Sequence, residues 1–369
     1  MAGSPRAAAR ARGRAIARRV ALGLLGTLAV AVAGLASFPT GRYLLRAAWE
    51  EGRILARRRP IAAIVADSTV PAATRAKLRL VLDARRFAAD SIGLRAGESF
   101  TLYSDIGRDT LVLVLSGARR DTLAPYTWWF PIVGRVPYKG FFAFDAARHA
   151  KADLLDAGLD AYLRPSPAFS TLGWFNDPLL NTTLREDAVD LANTVVHELT
   201  HNTFYASGQA AFNESFASFV GARGSAWLFR ARGDSTAAAE ADRRWGQEKR
   251  LAAFWTALGR SLDSAYAAHP ADSTARVAAR DSVYRAARAE LATRIAPEVG
   301  APPTWAARVQ LDNASLLARL TYGRDLPVFD AVWEREGRDV RRTVRRVIEL
   351  ARGKRDPFAA LRAALMNRR

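Results

Sequence analysis

The chain has 369 residues, half of them apolar and a quarter charged, enough for one large or two medium folded domains. It has no cysteine, which excludes disulfides, thiolate metal sites and cysteine nucleophiles. The formal net charge of +19 sits at the ends: residues 1–60 carry +10, residues 335–369 carry +8, and the middle is left with +1. A near-neutral body with basic ends does not describe a phosphate-tracking surface, so nucleic acid is not an expected partner.

Arg6, Arg10, Arg12, Arg14, Arg18 and Arg19 stand before Val20 with no acid among them, and residues 20–38 carry no charge. A helix over those residues would span ~28 Å, close to the ~30 Å hydrocarbon core of a bilayer. Secretory apolar regions usually run ~7–15 residues. A retained transmembrane signal-anchor over 20–38 is therefore expected, with a cleaved signal peptide as the alternative. The basic segment 1–19 would stay in the cytoplasm. The protein would be a single-pass inner-membrane protein, its body facing the periplasm or the cell exterior. Residues 39–60 place Leu44, Leu45, Ala48, Trp49 and Ile54 at helical spacing, as in a juxtamembrane amphipathic helix. Arg57, Arg58 and Arg59 close it and suit lipid headgroups as well as solvent.

Pro60 opens a new element. Residues 61–91 read as short helices split at Pro71. FTLYS and TLVLVLS, within residues 100–116, read as strands. WWFPIVGRVPYKGFFAF suggests a strand, a turn near Pro137–Gly140 and a second strand. Residues 146–165 read as helix, and Ser170–Leu180 as a loop or short extended segment. Beyond about residue 185 the pattern is helical almost throughout, with a break near Pro270. The sum is an α+β fold, predominantly α-helical, with a small β-sheet in the N-terminal half. Its parts are an α/β portion over 61–180 and a helical portion over 181–369.

The chemistry concentrates in ANTVVHELTHNTFYASGQAAFNESFASFVG. Residues 187–205 should form one helix, ended by Ser207 and Gly208, with a second over 210–222. At 100° per residue, His197 and His201 lie 40° apart and one turn along, so both imidazoles can reach one ion. Glu198 is rotated about 100° from His197, beside the ion rather than on it, where a general base would meet a bound water. Zinc in catalytic sites takes three protein ligands and leaves a fourth position open. Glu214 on the second helix is the third candidate. The alternative HExxHxxGxxH arrangement is excluded, because Phe204 and Ser207 occupy its positions. His149 and His269 read as surface histidines. Asp190, Asn213 and Ser218 are candidates for supporting a zinc histidine. Trp128, Trp129 and Phe130 read as core or sheet-edge residues, with a substrate cleft second.

VVHELTHNTFY followed by AFNESFASFV resembles the putative bacterial aminopeptidase family, a gluzincin-type group of zinc metallopeptidases. TLYSDIG, TWWFPIVGRVPYKGFF, STLGWFNDPLL, DNASLLARLTY and GRYLLRAAWEEGRILARRRPI share the likeness, so it covers most of the chain from about residue 41. The resemblance implies a zincin-like metallopeptidase fold, one Zn2+ held by His197, His201 and Glu214, Glu198 as catalytic base, and a peptide substrate. Tyr322, in a family-like segment, is the candidate oxyanion donor. Thr171–Phe175 could pair with extended substrate. Ser37 stands where members often carry a lipoprotein cysteine, and Trp129 and Arg135 stand where many carry a cysteine pair. No GxMEN-like motif is present, so the exopeptidase label rests on the resemblance. The reading is an exported, membrane-tethered zinc peptidase. Its alternative is a non-catalytic membrane-anchored binding protein that keeps the peptidase fold.

Overall fold

The computed structural model describes residues 5–130, 134–166 and 178–366. Two compact units emerge, Met1–Ala56 and Arg57–Arg369. The first holds helices α1 (Pro5–Ala36) and α2 (Pro39–Ala56). Within α1, Arg18–Ala36 is long and apolar enough to cross a membrane, with a mean hydropathy of 1.9 and none of it buried.

The second unit is α+β and mostly helical. Its strands are β1 (Arg59–Pro60), β2 (Leu102–Ser104), β3 (Val112–Ala118), β4 (Pro125–Tyr126), β5 (Trp128–Phe130), β6 (Gly134–Val136), β7 (Tyr138–Phe141), β8 (Asp160–Ser166) and β9 (Leu179–Leu180). β3 is the hub: it pairs antiparallel with β4, β7 and β8, the last along its whole length. β2 pairs antiparallel with β1 and parallel with β9. β5 and β6 form a separate antiparallel pair.

The early helices are α3 (Ile61–Ala66), α4 (Ala72–Phe87), α5 (Phe144–Asp156) and α6 (Asn181–Leu184). Then follow α7 (Ala188–Thr203), α8 (Ala210–Ala231), α9 (Ser235–Ala267) and α10 (Ser273–Glu290). The chain closes with α11 (Ala296–Glu298), α12 (Pro303–Arg308), α13 (Asn313–Tyr322), α14 (Pro327–Arg335), α15 (Val340–Ala351) and α16 (Pro357–Met366). The largest core packs α4, α7, α8 and α9 against α14–α16, with Phe212, Phe216, Phe219, Phe329 and Trp245 fully buried. α8 is buried nearly all round, as its Phe and small residues require.

Two expectations are corrected. Residues 160–166 are a strand, not the end of a helix. Gly158, at φ +73°, stops α5, and the chain returns along β3. β5 pairs with β6, which ends at Val136, so Pro137–Gly140 is not the turn between paired strands: β7 begins there with its own pairing to β3. The helix break near Pro270 lies between α9 and α10, and the split at Pro71 between α3 and α4. Most of the Ser170–Leu180 segment, including Thr171–Phe175, falls outside the described residues.

α13 is pinned at both ends. At its start Asp312 caps it, its side chain accepting from Ser315 N–H at 2.7 Å while Ser315 Oγ accepts from Asp312 N–H at 3.1 Å. Asn313, fully buried, donates to Arg119 O at 2.7 Å and Thr122 O at 3.1 Å and accepts from the Tyr284 hydroxyl at 2.8 Å. Its backbone N–H donates to Asp160 at 2.9 Å, which ties α13 to the start of β8. At its far end the Ser215 hydroxyl on α8 donates to Tyr322 O at 3.4 Å and accepts from Arg324 N–H at 3.0 Å.

Candidate metal centre

α7 begins where Asp187 accepts hydrogen bonds from Val189 and Asp190 N–H at 2.9 and 3.0 Å, satisfying two otherwise open donors. Val189, Ala192, Val195, Val196 and Leu199 form its buried face. His197 and His201 lie one turn apart beside that face, half-buried, while Glu198 is exposed. The helix ends at Thr203, two residues earlier than its sequence suggests. Phe204 is extended, and Gly208 sits at φ +74° inside the turn rather than at the helix stop.

That turn folds α8 back along α7. Asn213, buried in the first turn of α8, accepts from Ala206 N–H and donates to Ala206 O, both at 2.8 Å. Further along, α8 approaches α7 through Gly224. A methyl group there would lie 2.7 Å from Ile92 Cδ1 and 2.8 Å from Val196 Cγ1. Only glycine permits this spacing, and Val196 is the residue before His197.

The result brings three side chains to one point. His197 Nε2 and His201 Nε2 are 3.2 Å apart. Glu214 Oε2 is 3.4 Å from His197 Nε2, and Oε1 is 3.7 Å from His201 Nε2. Zinc–nitrogen and zinc–oxygen bonds near 2.0–2.1 Å in a tetrahedron place neighbouring donors roughly 3.3 Å apart. The three separations bracket that edge, so the donor set fits a single small dication in kind and in spacing.

The electrostatics agree. Burial works against a charged His197, but Glu214, Glu198 and Glu248 outweigh it and raise its pKa. Burial would push the Glu214 carboxyl up, yet hydrogen bonding to His197 and His201 holds it down at about 2. Carboxylates that favour a proton on an imidazole equally favour a cation between the imidazoles. His201 Nδ1 is buried with no hydrogen-bond partner among the described residues.

Of the residues considered as supports, Ser218 hydrogen-bonds Glu248, whose field reaches His197; burial pushes the Glu248 carboxyl up to about 7. Asn213 shapes the turn instead. Asp190 lies at the surface, where Arg244 pairs with it at 2.6 Å. Glu248 was readable in principle: it continues the buried spacing Ala241, Trp245, Ala252 of α9, a costly place for an unpartnered carboxylate.

Tyr322 stands at the end of α13, within the field of both Glu214 and Glu198. Desolvation first, and then Glu214, push its phenol up, so it is a neutral donor at ordinary pH. Tyr138 on β7 joins the same group, influenced by Tyr322, Tyr205, Glu214 and Arg164. Tyr205, 62% exposed, sits one turn beyond His201 with its ring centroid 6.4 Å from the imidazole. That i+4 spacing was visible in the sequence; the approach of Tyr138 and Arg164 was not. His149 and His269 are exposed, as expected. Trp128 packs on the sheet core, and Trp129 is 61% exposed.

A helix–turn–helix that turns two imidazoles and a carboxylate toward one point is a group able to hold a metal ion. The chain belongs to the family described as putative aminopeptidase, whose model, Aminopep, matches residues 42–360. No curated protein and no solved structure gives a significant match.

Proposed function

We propose that the protein is a membrane-tethered zinc peptidase in which His197, His201 and Glu214 hold one Zn2+ and Glu198 is the general base. The supporting observation is the convergence of the two Nε2 atoms and the Glu214 carboxylate at 3.2–3.7 Å. Membership of an aminopeptidase family supports peptide hydrolysis. When bound, zinc supplies Lewis acidity that makes water nucleophilic near neutral pH and polarises a carbonyl.

The residues of the chain do the rest. Glu198, exposed beside the ligands, takes the proton of the attacking water and delivers it to the leaving nitrogen. Tyr322 donates its hydroxyl to the oxygen that gains negative charge. Ser215 and Asn313, fixing the two ends of α13, hold that hydroxyl in place. The arginine-flanked helix within Arg18–Ala36 is the tether, retained in the inner membrane with the body exported to the periplasm or cell exterior.

The test is peptide hydrolysis by purified protein loaded with zinc, read by mass spectrometry, with Glu198→Gln as control. Cleavage by wild type and a loss on the order of 10²–10⁴-fold in the variant are expected. Equal activity in both would remove Glu198 from the mechanism. Retained zinc with no cleavage by either would favour a binding protein on the same fold.

A further inference from the structure

Helices α1 and α2 meet at a tight corner. Ser37 closes α1, its N–H and Oγ donating to Gly34 O at 3.3 and 2.6 Å. Arg42 N–H donates to Phe38 O at 3.0 Å, and Arg42 Nη1 to Ala36 O at 3.2 Å. The last carbonyls of a helix point along its axis, out of its C-terminal end. Gly41 is buried against one of them: a methyl group there would collide with the Leu35 carbonyl oxygen. The backbone of α2 therefore crosses the end of α1, an approach that glycine permits. None of Arg18–Ala36 is buried, so α2 does not fold back along the apolar helix.

Helical spacing decides what faces the same way as Gly41. At about 100° per residue, an arc of roughly 140° from Leu44 to Trp49 holds Leu45, Ala48, Gly52 and Leu55 and no charge. Glu51 borders the arc on one side; Arg42, Arg53 and Arg46 border it on the other. Ala48 and Gly52 are exposed, and Trp49 is 65% exposed. The opposite face is covered, with Glu50 and Ile54 buried. Glu50 pairs there with Arg46 at 2.6 Å and Arg53 at 3.2 Å, which draws both guanidinium groups away from the open arc. An open uncharged face, a tryptophan at its edge and arginines just beyond match the boundary between lipid headgroups and acyl chains. The chain itself supplies that boundary. Gly41 touches Leu35, one residue before the apolar helix ends, so a bilayer around Arg18–Ala36 stops at α2.

We infer that α2 lies flat in the leaflet interface at the C-terminal end of α1, its uncharged arc buried in lipid and Gly41 its fixed corner. The inference rests on the reading of Arg18–Ala36 as a membrane span. The tether is then a rigid bracket of two helices.

The chain has no cysteine, so one introduced cysteine carries a fluorophore at a single known place. The full chain is reconstituted in vesicles of phosphatidylcholine and phosphatidylglycerol. The label is placed by Ala48→Cys, by Gly52→Cys, by Leu25→Cys in the apolar helix, or by Ala286→Cys at an exposed position of α10. Quenching by nitroxides fixed at the headgroup or along the acyl chain gives depth, and iodide reports contact with water. The Leu25 label should lie deep and out of reach of iodide. The Ala48 and Gly52 labels should lie roughly 5–10 Å into the headgroup–acyl boundary, quenched by shallow nitroxides and far less by iodide than the Ala286 label. Adding Gly41→Ala should tilt α2 and return the Ala48 label toward water, while the Leu25 label in the same variant stays deep. Labels at Ala48 and Gly52 as open to iodide as that at Ala286 would overturn the inference. So would labels shielded from iodide yet untouched by any lipid nitroxide, since protein would then cover the arc. In both cases a deep Leu25 label leaves the span reading intact. An Ala48 depth unmoved by Gly41→Ala would overturn the role of the corner. A Leu25 label open to iodide would overturn the span reading itself.

Discussion

Asn213 and Ala206 exchange two hydrogen bonds of 2.8 Å across the turn that joins α7 to α8. One buried side-chain amide thus satisfies both polar groups of one backbone residue and sets the angle at which α8 returns. Glu214 is the next residue, so the angle decides whether its carboxylate reaches the imidazoles. Asn213→Ala leaves the N–H and C=O of Ala206 without partners, at a cost of about 1–3 kcal/mol. Thermal melts should show that loss. Zinc affinity, measured against a competing chelator, should fall by about tenfold or more.

Helix spacing sets the other dimension of the site. Gly224→Ala would put a methyl group 2.8 Å from Val196 Cγ1, a stiff β-branched side chain in the core of α7. The helices must part or the rotamer must strain, costing about 1–3 kcal/mol. Glu214, on the same helix, would move with α8. The expected outcome is a lower melting temperature together with weaker zinc binding, whereas Gly246→Ala on α9 should leave both nearly unchanged.

The convergence of His197, His201 and Glu214 was legible because its geometry is mostly local. Two histidines four apart share a helix face whatever surrounds them, and Glu214 needed only a tight turn. The packing of α8 was not legible: its length to Ala231 and its close approach through Gly224 depend on what α4 and α7 present. β8 was misread because KADLLDAGLDAYLRPS is rich in helix formers up to Asp156, and only Gly158 marks the break. The sheet supplies the reason for a strand there, since β3 pairs it over seven residues. Arg164 and Tyr138 reach the site only through that sheet, so no spacing in the sequence announces them. Tyr322 came from a likeness in DNASLLARLTY, and in the structure Asn313 of the same segment is the buried anchor of α13.

Acid stability should depend on Asp330. Its carboxylate accepts from Arg223 at 2.7 Å, from Trp245 Nε1 at 3.1 Å and from Lys249. Burial alone would push its carboxyl up, but the hydrogen bonds of Lys249 and Arg223 overcome that and hold it below its ordinary value. A carboxyl with a folded-state pKa below the unfolded one contributes stability above the unfolded value, near 4, and loses it as pH falls through the folded value. Asp330→Asn should therefore destabilise at pH 7, on the order of 3 kcal/mol, by taking the carboxylate partner from Lys249 and leaving Arg223 with Asp242 alone. The gap between wild type and variant should close as the pH is lowered below about 4. Denaturant titrations at pH 7, 5 and 3 give the curve.

The proposed metal should also be visible in stability, without any substrate. An ion that binds the folded site alone stabilises it by about 2.7 kcal/mol at one hundred times its dissociation constant. Chelation should therefore lower the melting temperature of the wild type, and stoichiometric zinc should restore it. The three donors act on one ion, so removing Glu214 leaves two imidazoles 3.2 Å apart and no carboxylate to offset the charge. Glu214→Gln should melt at one temperature with or without chelator. Glu198→Gln, which removes no donor, should keep the full zinc-dependent shift. If Glu214→Gln kept the shift and Glu198→Gln lost it, the third ligand would be Glu198, and the mechanism would lose its base.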